Sequence, residues 1–362
     1  MKAQIKKNTF DKGDKGYVSL FYQMLEDLSP RTQDVMIKRF GFDGNKKQTL
    51  EKIGQLYGIT RERVRQIISS TLLDFKKSKK TDVLKPLEEI SENLLREHGH
   101  AMEQSHFIET FKQRVGDEKL HANHLDFVMT LSDKFSDINE DDSRRKGWKA
   151  KDFSDGRTHQ VVKKFCEILE SKKQPLAEDE ALNVITEHED IKQMSEDLAK
   201  NRKAILSYLR LSKSVLKNPF GEWGLSSWSE VQPKSIKDKA YLVLKKTKKP
   251  LHFRQITEAI NVKQFSSRTA NVQTVHNELI KDKRFVLVGR GIYALTQWGY
   301  KSGTVIEVLE KVLRDAKTPL SKDEIVGRVS KQRMVKKNTI ILALQNKVKF
   351  SRVSEGLYKL AE

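Results

Sequence analysis

The sequence predicts a mainly α-helical protein, with a helix-turn-helix near the N-terminus followed by a tandem array of small winged helix-turn-helix domains. Three observations predict this fold. Two short segments of helical apolar spacing meet at Gly58. A Pro-Leu pair and a later Gly-x-aromatic-x-Leu motif occur together three times, with glycine-to-glycine steps of 70 and 65 residues. Regular apolar spacing also continues almost to the end of the 362 residues, enough chain for several small cores.

The predicted helix-turn-helix lies within Thr49–Ser70, TLEKIGQLYGITRERVRQIISS. Gly58 ends the first helix, because a left-handed backbone position costs glycine no Cβ clash. Thr60 is placed to cap the second helix. The apolar spacing assigns an inward face to each helix: Leu50, Ile53, Leu56 and Tyr57 in the first, and Val64, Ile67, Ile68, Leu72 and Phe75 in the second.

The opposite face of the second helix carries side chains that suit base recognition. Arg61, Glu62, Arg65, Gln66 and Ser69 share this outer face. Arginine pairs with guanine, glutamine with adenine, and glutamate accepts from the cytosine amino group. A charged, solvated helix face explains the same residue types, but it does not explain the hinge and the cap beside them.

Residues 28–76, LSPRTQDVMIKRFGF followed by TLEKIGQLYGITRERVRQI, closely resemble region 4 of primary bacterial sigma factors. This resemblance implies recognition of the −35 promoter element and docking on the β-subunit flap of RNA polymerase. By position it assigns base contacts to Arg61, Glu62, Arg65 and Gln66. Thr49, Arg63 and Ser69 are candidates for backbone or secondary contact. About 27 residues precede the motif, so we expect no initiation as an ordinary sigma factor.

The motif positions predict six segments. The first two are an N-terminal segment, 1–27, and a helix-turn-helix segment, 28–78, called here the head. Four repeats of 60 to 75 residues follow: repeat A (82–153, the weakest, ending in KGWKAKDF), repeat B (157–231), repeat C (234–300) and repeat D (303–361). The apolar spacing and the glycine motif of each repeat predict three helices followed by a two-stranded hairpin around the glycine, which is the order of a winged helix.

Repeat C resembles a second family, the HARE-type winged helices. SIKDKAYLVLKK and TVHNELIKDKRFVLVGRGIYALTQWGY carry the resemblance. Such domains occur in the δ subunit of some bacterial RNA polymerases and in DNA-associated fusion proteins. Repeat D, with TIILALQNKVKF and GLYKL, resembles a more distant relative. Repeats A and B resemble this fold only through the repeat spacing.

In a DNA-binding winged helix, the third helix enters the major groove and the wing touches phosphate. We predict the third helix of repeat C over about 271–281, with Val272, Val275, Leu279 and Ile280 facing inward. The backbone or secondary DNA contacts predicted for the two C-terminal repeats are Arg268, Asn271, Gln273, Thr274, Asn277, Arg290, Lys336, Lys337 and Asn338. Alternatively, these folds serve as protein-binding modules.

The net charge of +20 and the pI of about 9.7 make a polyanion the leading partner. The charge is +9 over residues 1–80, −6 over 81–156, zero over 157–232, +10 over 233–300 and +7 over 301–362. The two ends of the chain therefore suit a phosphate backbone, whereas the acidic 81–156 segment does not.

Other classes of protein find little support in the sequence. One cysteine, Cys166, excludes an intrachain disulfide, and its apolar helix face predicts a buried thiol. His121 and His124 have a spacing that only weakly suits a metal, and the acidic run 139–145 is typical of a solvated turn. We therefore predict no metal, no cofactor, no small-molecule substrate, no membrane association and no enzymatic activity. The expected location is cytoplasmic, on the nucleoid.

Together these observations predict a sequence-specific double-stranded DNA-binding protein that regulates bacterial transcription. The alternative is an RNA polymerase-associated interaction protein that docks on the flap, or acts like the δ subunit, with little direct contact to DNA bases. A nuclease subunit is a third alternative, which rests only on fusions known in the HARE family.

Overall fold

The computed structural model describes residues 16–265, 267–354 and 356–361 of the chain. Within these ranges the chain forms eighteen α-helices and twelve short strands. The mainly α prediction is therefore confirmed. The chain divides into two compact units after Leu216.

The first unit begins with four helices. They are α1 (Val18–Leu25), α2 (Pro30–Phe40), α3 (Leu50–Tyr57) and α4 (Arg61–Lys77), and a 3₁₀ helix (Lys80–Leu84) follows them. The hydroxyl of Ser29 caps α2 and Pro30 occupies its first turn, a position that suits the fixed φ of proline. Helix α1 lies within the N-terminal segment 1–27, of which residues 1–15 lie outside the described residues. Helix α1 was not predicted from the sequence, although Phe21 and Met24 on this helix are almost completely buried.

Repeat A continues the first unit. Its elements are α5 (Lys85–Glu97), β1 (Ala101–Glu103), α6 (Gln104–Val115), α7 (Ala122–Leu131), β2 (Phe135–Ile138) and β3 (Gly147–Ala150). The strands form an antiparallel sheet in the order β1-β3-β2. Gly147 permits a close approach, since an added Cβ would lie 2.3 Å from the Met102 carbonyl oxygen. Trp148 is fully buried beside it, as expected for a core aromatic.

One hydrophobic core extends from α1 through the head into repeat A. It includes Phe21 and Phe42 from the N-terminal region and Phe127 from α7. The Phe42 and Phe127 ring centroids lie 5.0 Å apart in an edge-to-face arrangement, which is a favoured aromatic geometry. The head and repeat A are therefore packed as one body.

Repeat B begins in the first unit. The boundary between the units falls within its strand β5, and its strand β6 belongs to the second unit. Its elements are α8 (Gly156–Lys172), β4 (Leu176–Ala177), α9 (Glu178–Thr186), α10 (Glu189–Met194), α11 (Glu196–Lys200), α12 (Arg202–Leu211), β5 (Val215–Lys217) and β6 (Glu222–Leu225). Cys166 on α8 is half-buried, so the prediction of a buried thiol is wrong. The neighbouring Phe165 and Leu169 take the core-facing positions instead.

Repeats C and D form most of the second unit. Repeat C consists of α13 (Ile236–Thr247), β7 (Leu251–His252), α14 (Phe253–Val262), α15 (Val272–Lys281), β8 (Phe285–Gly289) and β9 (Ile292–Leu295). Repeat D consists of α16 (Val305–Ala316), β10 (Leu320–Ser321), α17 (Lys322–Gln332), α18 (Lys337–Ala343), β11 (Phe350–Ser354) and β12 (Leu357–Leu360). Their antiparallel sheets have the same strand order, β7-β9-β8 and β10-β12-β11.

The repeated sequence motifs have physical causes in this fold. The first helix of repeats B, C and D ends at a lysine in the left-handed conformation, at Lys173, Lys248 and Lys317. The Pro-Leu pair that follows starts a two-residue strand, which joins the sheet in repeats C and D. The glycine of the later motif lies at the hairpin turn with φ of 84°, 70° and 85° at Gly221, Gly291 and Gly356. These values favour glycine over any other residue.

Candidate nucleic-acid interface

Helices α3 and α4 form the predicted helix-turn-helix. The Thr49 hydroxyl caps α3 by accepting from the backbone N–H of Lys52 at 3.2 Å, and the Thr60 hydroxyl caps α4 by accepting from Arg63 at 3.2 Å. Gly58 ends α3 with φ of 61°. A second glycine also shapes the turn, since a Cβ at Gly54 would lie 2.6 Å from the Ile59 carbonyl oxygen.

The inner and outer faces of α4 separate as predicted. Val64, Ile68 and Phe75 are buried in the core. The residues predicted to contact bases or lie beside them are all exposed: Arg61, Glu62, Arg63, Arg65, Gln66 and Ser69. The surface needed for nucleic-acid contact is therefore free within the first unit. Leu56 of α3 was predicted to face inward, but half of its side chain is exposed (50%), because α4 and α2 cover the helix only on its Ile53 side.

The candidate base-contacting residues bind one another in the free protein. Arg65 donates to Glu62 through two nitrogens, at 2.6 and 2.9 Å. Arg63 donates to the Gln66 amide oxygen at 3.2 Å. The hydrogen bond from Arg65 is the main reason that the pKa of Glu62 is lowered. Since exposed ion pairs contribute little free energy, these partners can be exchanged for DNA groups at low cost.

Lys52 on α3 was not predicted from the sequence to contact DNA. It lies next to the α3 N-terminus, is exposed, and takes part in no ion pair among the described residues. A lysine at this position could have been predicted to contact phosphate, because the first helix of a helix-turn-helix crosses the DNA backbone.

Helix α15 of repeat C presents a polar face to solvent. Asn271 caps the helix by accepting from the N–H groups of Gln273 and Thr274, and Gln273 donates to Asn277 at 3.1 Å. The predicted contacts Arg268, Asn271, Gln273, Thr274, Asn277 and Arg290 are all exposed.

Two predicted core positions of α15 are wrong. Val272 is 40% exposed and Ile280 is 64% exposed. Val275 and Leu279 alone fill the core side of this ten-residue helix, since the apolar stripe that packs on α13 and α14 is narrower than the sequence suggests.

The loop before the third helix of repeat D is hydrogen-bonded to repeat C. The Met334 N–H donates to the Val288 carbonyl of β8 at 2.9 Å, at the sheet edge of repeat C. Lys336, Lys337 and Asn338 then lie exposed at the start of α18. Lys337 is paired with Asp323 at 2.9 Å, on an exposed surface.

Repeat B has five helices, α8 to α12, where three were predicted. The helix that precedes the hairpin, α7 in repeat A and α12 in repeat B, is not available in the same way. In α7, the buried His124 ring contacts the Phe42 carbonyl of the head at 3.0 Å. In α12, Ser207 and Tyr208 are buried and donate to the carbonyls of Ala101 and Gly99, at 2.7 and 2.6 Å. Both helices pack within the chain, and both belong to segments whose net charge is not positive.

The histidine pair and the acidic run have structural roles. His124 accepts from the backbone N–H of His121 at 3.0 Å and thereby joins the cap of α7. Burial is the main cause that lowers the pKa of His124 to about 4. In the acidic run, Asp141 accepts from Ser143 and Arg144, and Arg144 also pairs with Asp155 at 2.8 Å. No group of three metal-binding side chains occurs in the described part of the chain.

Two family models match the chain. Residues 24–77 match the model described as Sigma-70, region 4. Residues 234–298 match the HARE-HTH model, whose description includes the restriction endonuclease HTH domain. Both predicted resemblances are confirmed. Within the described residues, no helix is both long and apolar enough to cross a membrane.

Curated sigma factors are similar to the head. RNA polymerase sigma factor SigA of Nostoc sp. is 43% identical over 63 residues, which is 17% of this chain and 16% of that protein. SigA1 of Synechococcus elongatus is 44% identical over 62 residues, which is 17% of this chain and 16% of that protein. The chloroplastic sigma factor sigF of Arabidopsis thaliana is 42% identical over 55 residues, 15% of this chain and 10% of that protein. The chain thus spans about a sixth or less of these relatives. Its matched domains are DNA-binding helix-turn-helix types related to transcription.

Proposed function

We propose that the protein is a sequence-specific double-stranded DNA-binding regulator of bacterial transcription, acting on the nucleoid. The observation that carries the proposal is the outer face of α4, whose base-contacting candidates are exposed while Val64 and Ile68 fix the helix in the core. A rigid helix with free polar side chains at its N-terminal end is what major-groove recognition requires.

In this proposal each candidate on the head has a defined role. Arg61 and Arg65 contact guanine and Gln66 contacts adenine, while Glu62 accepts from cytosine. Thr49, Arg63 and Ser69 contact the backbone or orient their neighbours, and Lys52 adds a phosphate contact. The match to sigma region 4 across residues 24–77 supports this assignment.

Repeats C and D extend the footprint through backbone contact. Their exposed third helices and their charges of +10 and +7 over 233–300 and 301–362 favour phosphate binding. Repeats A and B act as a spacer, because α7 and α12 are buried within the first unit. Several weak sites on one chain increase the overall affinity without any new contact.

Selection of bound duplexes from a random pool tests the proposal. The wild-type protein should enrich a defined sequence, and Arg61→Ala combined with Arg65→Ala should relax the preference at the bases those residues contact. The expected reduction is about 1–3 kcal/mol of binding free energy for each base contact removed. If the double variant enriches the same sequence as the wild type, α4 does not recognise bases.

The second candidate function is an RNA polymerase-associated interaction protein that docks on the β flap. Two large apolar side chains of the head favour this function, Leu56 (50% exposed) and Leu73 (58% exposed), because a protein partner that covers them removes apolar surface from water. A pull-down of polymerase with nuclease present separates the two functions. Retention of polymerase that disappears in Leu73→Ser but persists in Arg65→Ala would support the polymerase-associated function.

A further inference from the structure

The first unit contains a cavity whose lining includes no residue of the outer face of α4. It has a volume of about 760 Å³ and is formed by α5, the start of β2, the end of β3 and the segment leading into α8. Leu95, Phe135, Ala150 and Phe153 supply its apolar wall. Its size falls within the range of small-molecule sites, which combine an apolar wall with a few polar groups.

Three cations line this cavity without a carboxylate partner. Arg96, Lys151 and Arg157 form no ion pair within the described residues. The carboxylates around them are already neutralised by other cations: Glu92 by Lys134 at 2.7 Å, Asp133 by Lys76 at 3.2 Å, and Asp155 by Lys149 and Arg144 at 2.7 and 2.8 Å.

Asp152 is the one carboxylate of the lining that the described ion pairs leave unpaired. The cavity is lined by four cationic side chains, Arg96, Lys134, Lys151 and Arg157, against three carboxylates, so the net charge of its lining is positive by one. This charge lies in and next to the segment 81–156, whose overall charge is −6.

His100 is held at the edge of the cavity in a conformation that costs free energy. Its φ is 69°, in the left-handed region that is unfavourable for a residue with a Cβ. The backbone is fixed there by hydrogen bonds to Leu95 and Ala150 at 2.6 and 2.9 Å. The His100 and Phe153 rings stack with centroids 6.3 Å apart and planes 22° apart.

The pKa of His100 is lowered, first by burial and then by the positive charges of Arg157 and Arg96. Arg157 and Arg96 line the same cavity as the His100 ring. The result is a set of planar donors beside an aromatic wall.

We propose that this cavity binds a small phosphate-bearing ligand with a planar ring, of the nucleotide class. Arg96, Lys151 and Arg157 contact the phosphate, since the guanidinium fork suits phosphate oxygens. The planar ring packs on the His100–Phe153 pair. This site goes beyond the proposed DNA-binding function.

Isothermal titration of the full chain with ATP, GTP and pyrophosphate at low ionic strength tests the proposal. We expect saturable binding at one site per chain. Arg157→Gln should weaken it about tenfold, the size expected for one charge-assisted hydrogen bond, and Arg96→Gln combined with Arg157→Gln should abolish it. Phe153→Leu should weaken nucleotide binding while leaving pyrophosphate binding unchanged.

Lys163→Gln provides the matched control, because Lys163 is exposed on the same helix as Arg157 but does not line the cavity. Three results would overturn the proposal: no saturable binding of any of the three probes, equal weakening in Lys163→Gln and Arg157→Gln, or binding of a single-stranded oligonucleotide but of no mononucleotide. Each variant should keep the wild-type thermal transition and the wild-type DNA gel shift, so failure here is distinguishable from failure of the proposed DNA-binding function.

Discussion

Glu62 limits the availability of Arg65 in the free protein, because both guanidinium donors of Arg65 are directed at the Glu62 carboxylate. Replacing Glu62 by glutamine removes a negative charge from the face that meets phosphate and releases Arg65. We expect Glu62→Gln to raise affinity for unrelated duplex DNA about two- to fivefold, and to reduce discrimination at one base pair, as expected when a cytosine contact is removed. Gel shifts with a selected and a scrambled duplex measure both effects.

Glu51→Gln serves as the control for overall charge, since Glu51 is exposed on α3 and forms no ion pair among the described residues. It should raise affinity for both duplexes alike. If Glu62→Gln also raises both affinities equally, Glu62 acts only through its charge and not through a base contact.

His124 gives the first unit a dependence on pH. Its Nδ1 accepts from the His121 N–H and its Nε2 faces the Phe42 carbonyl, so these partners fix the neutral tautomer. The folded-state pKa is about 4 because of burial, against about 6.5 in the unfolded chain. As pH falls from 6.5 towards 4, the unfolded chain takes up a proton that the folded chain does not. The free energy of unfolding should therefore fall by up to about 3 kcal/mol.

Urea unfolding between pH 7 and pH 4.5 measures this loss. His124→Gln should be less stable at pH 7 but should show a smaller loss between the two pH values. His98 and His106 also have lowered pKa values, so part of the slope should persist. A His124→Gln slope equal to that of the wild type would contradict this account.

At the level of elements, Gly54 controls the angle between α3 and α4. A Cβ there would lie 2.6 Å from the Ile59 carbonyl oxygen, which is backbone and has no freedom to rotate away. We expect Gly54→Ala to lower the free energy of unfolding by about 1–3 kcal/mol through overpacking, and to weaken specific DNA binding because α4 is displaced.

The matched substitution is Gly58→Asn, at the left-handed end of α3, where nothing lies within 4 Å of an added Cβ. Asparagine tolerates this conformation, so the loss should stay under about 1 kcal/mol. Denaturation curves of both variants compare the two effects. Equal stability of Gly54→Ala and the wild type would show that the turn is looser than its geometry implies.

The sequence predicted those elements whose cause is local. The α3 and α4 helices, the Thr60 cap and the Gly58 end follow from residues within one turn of each other, whereas the Thr49 cap of α3 was not predicted. The strands β7 and β10 were missed because two residues cannot display a period of two. The exposure of Leu56, Val272 and Ile280 was also missed. Apolar periodicity identifies which face of a helix points inward, but it does not show how much of that face the neighbouring helices cover.

The packing of α7 and α12 could not be predicted either. The hydrogen bonds from Tyr208 to Gly99 and from His124 to Phe42 join residues 109 and 82 positions apart. Nothing in the local pattern of a third helix distinguishes one that faces DNA from one that faces a neighbouring repeat. The segment charges gave the only sequence signal, because a helix buried within the chain needs no positive surroundings.

At the scale of the whole molecule, the candidate DNA contacts divide into two kinds with different expected behaviour. Contacts on α4 depend on base identity, whereas those of repeats C and D depend on phosphate charge. The two kinds can therefore be separated by their response to sequence and to salt. The positive ends of the chain predict that both kinds contribute to one complex.

Replacing Arg290, Lys336 and Lys337 by glutamine should separate the two kinds of contact. All three are exposed, and none lies in the core of its repeat. Removing one phosphate contact should reduce the slope of log affinity against log salt by about 0.9, so the triple variant should reduce the slope by about 2 to 3 units. Its preference for the selected duplex over the scrambled one should stay unchanged, because α4 is intact.

A matched triple variant at Lys163, Lys192 and Lys200 of repeat B should leave the slope near that of the wild type. If both triple variants reduce the slope equally, the protein binds DNA through its overall charge, and repeats C and D have no specific part in the complex.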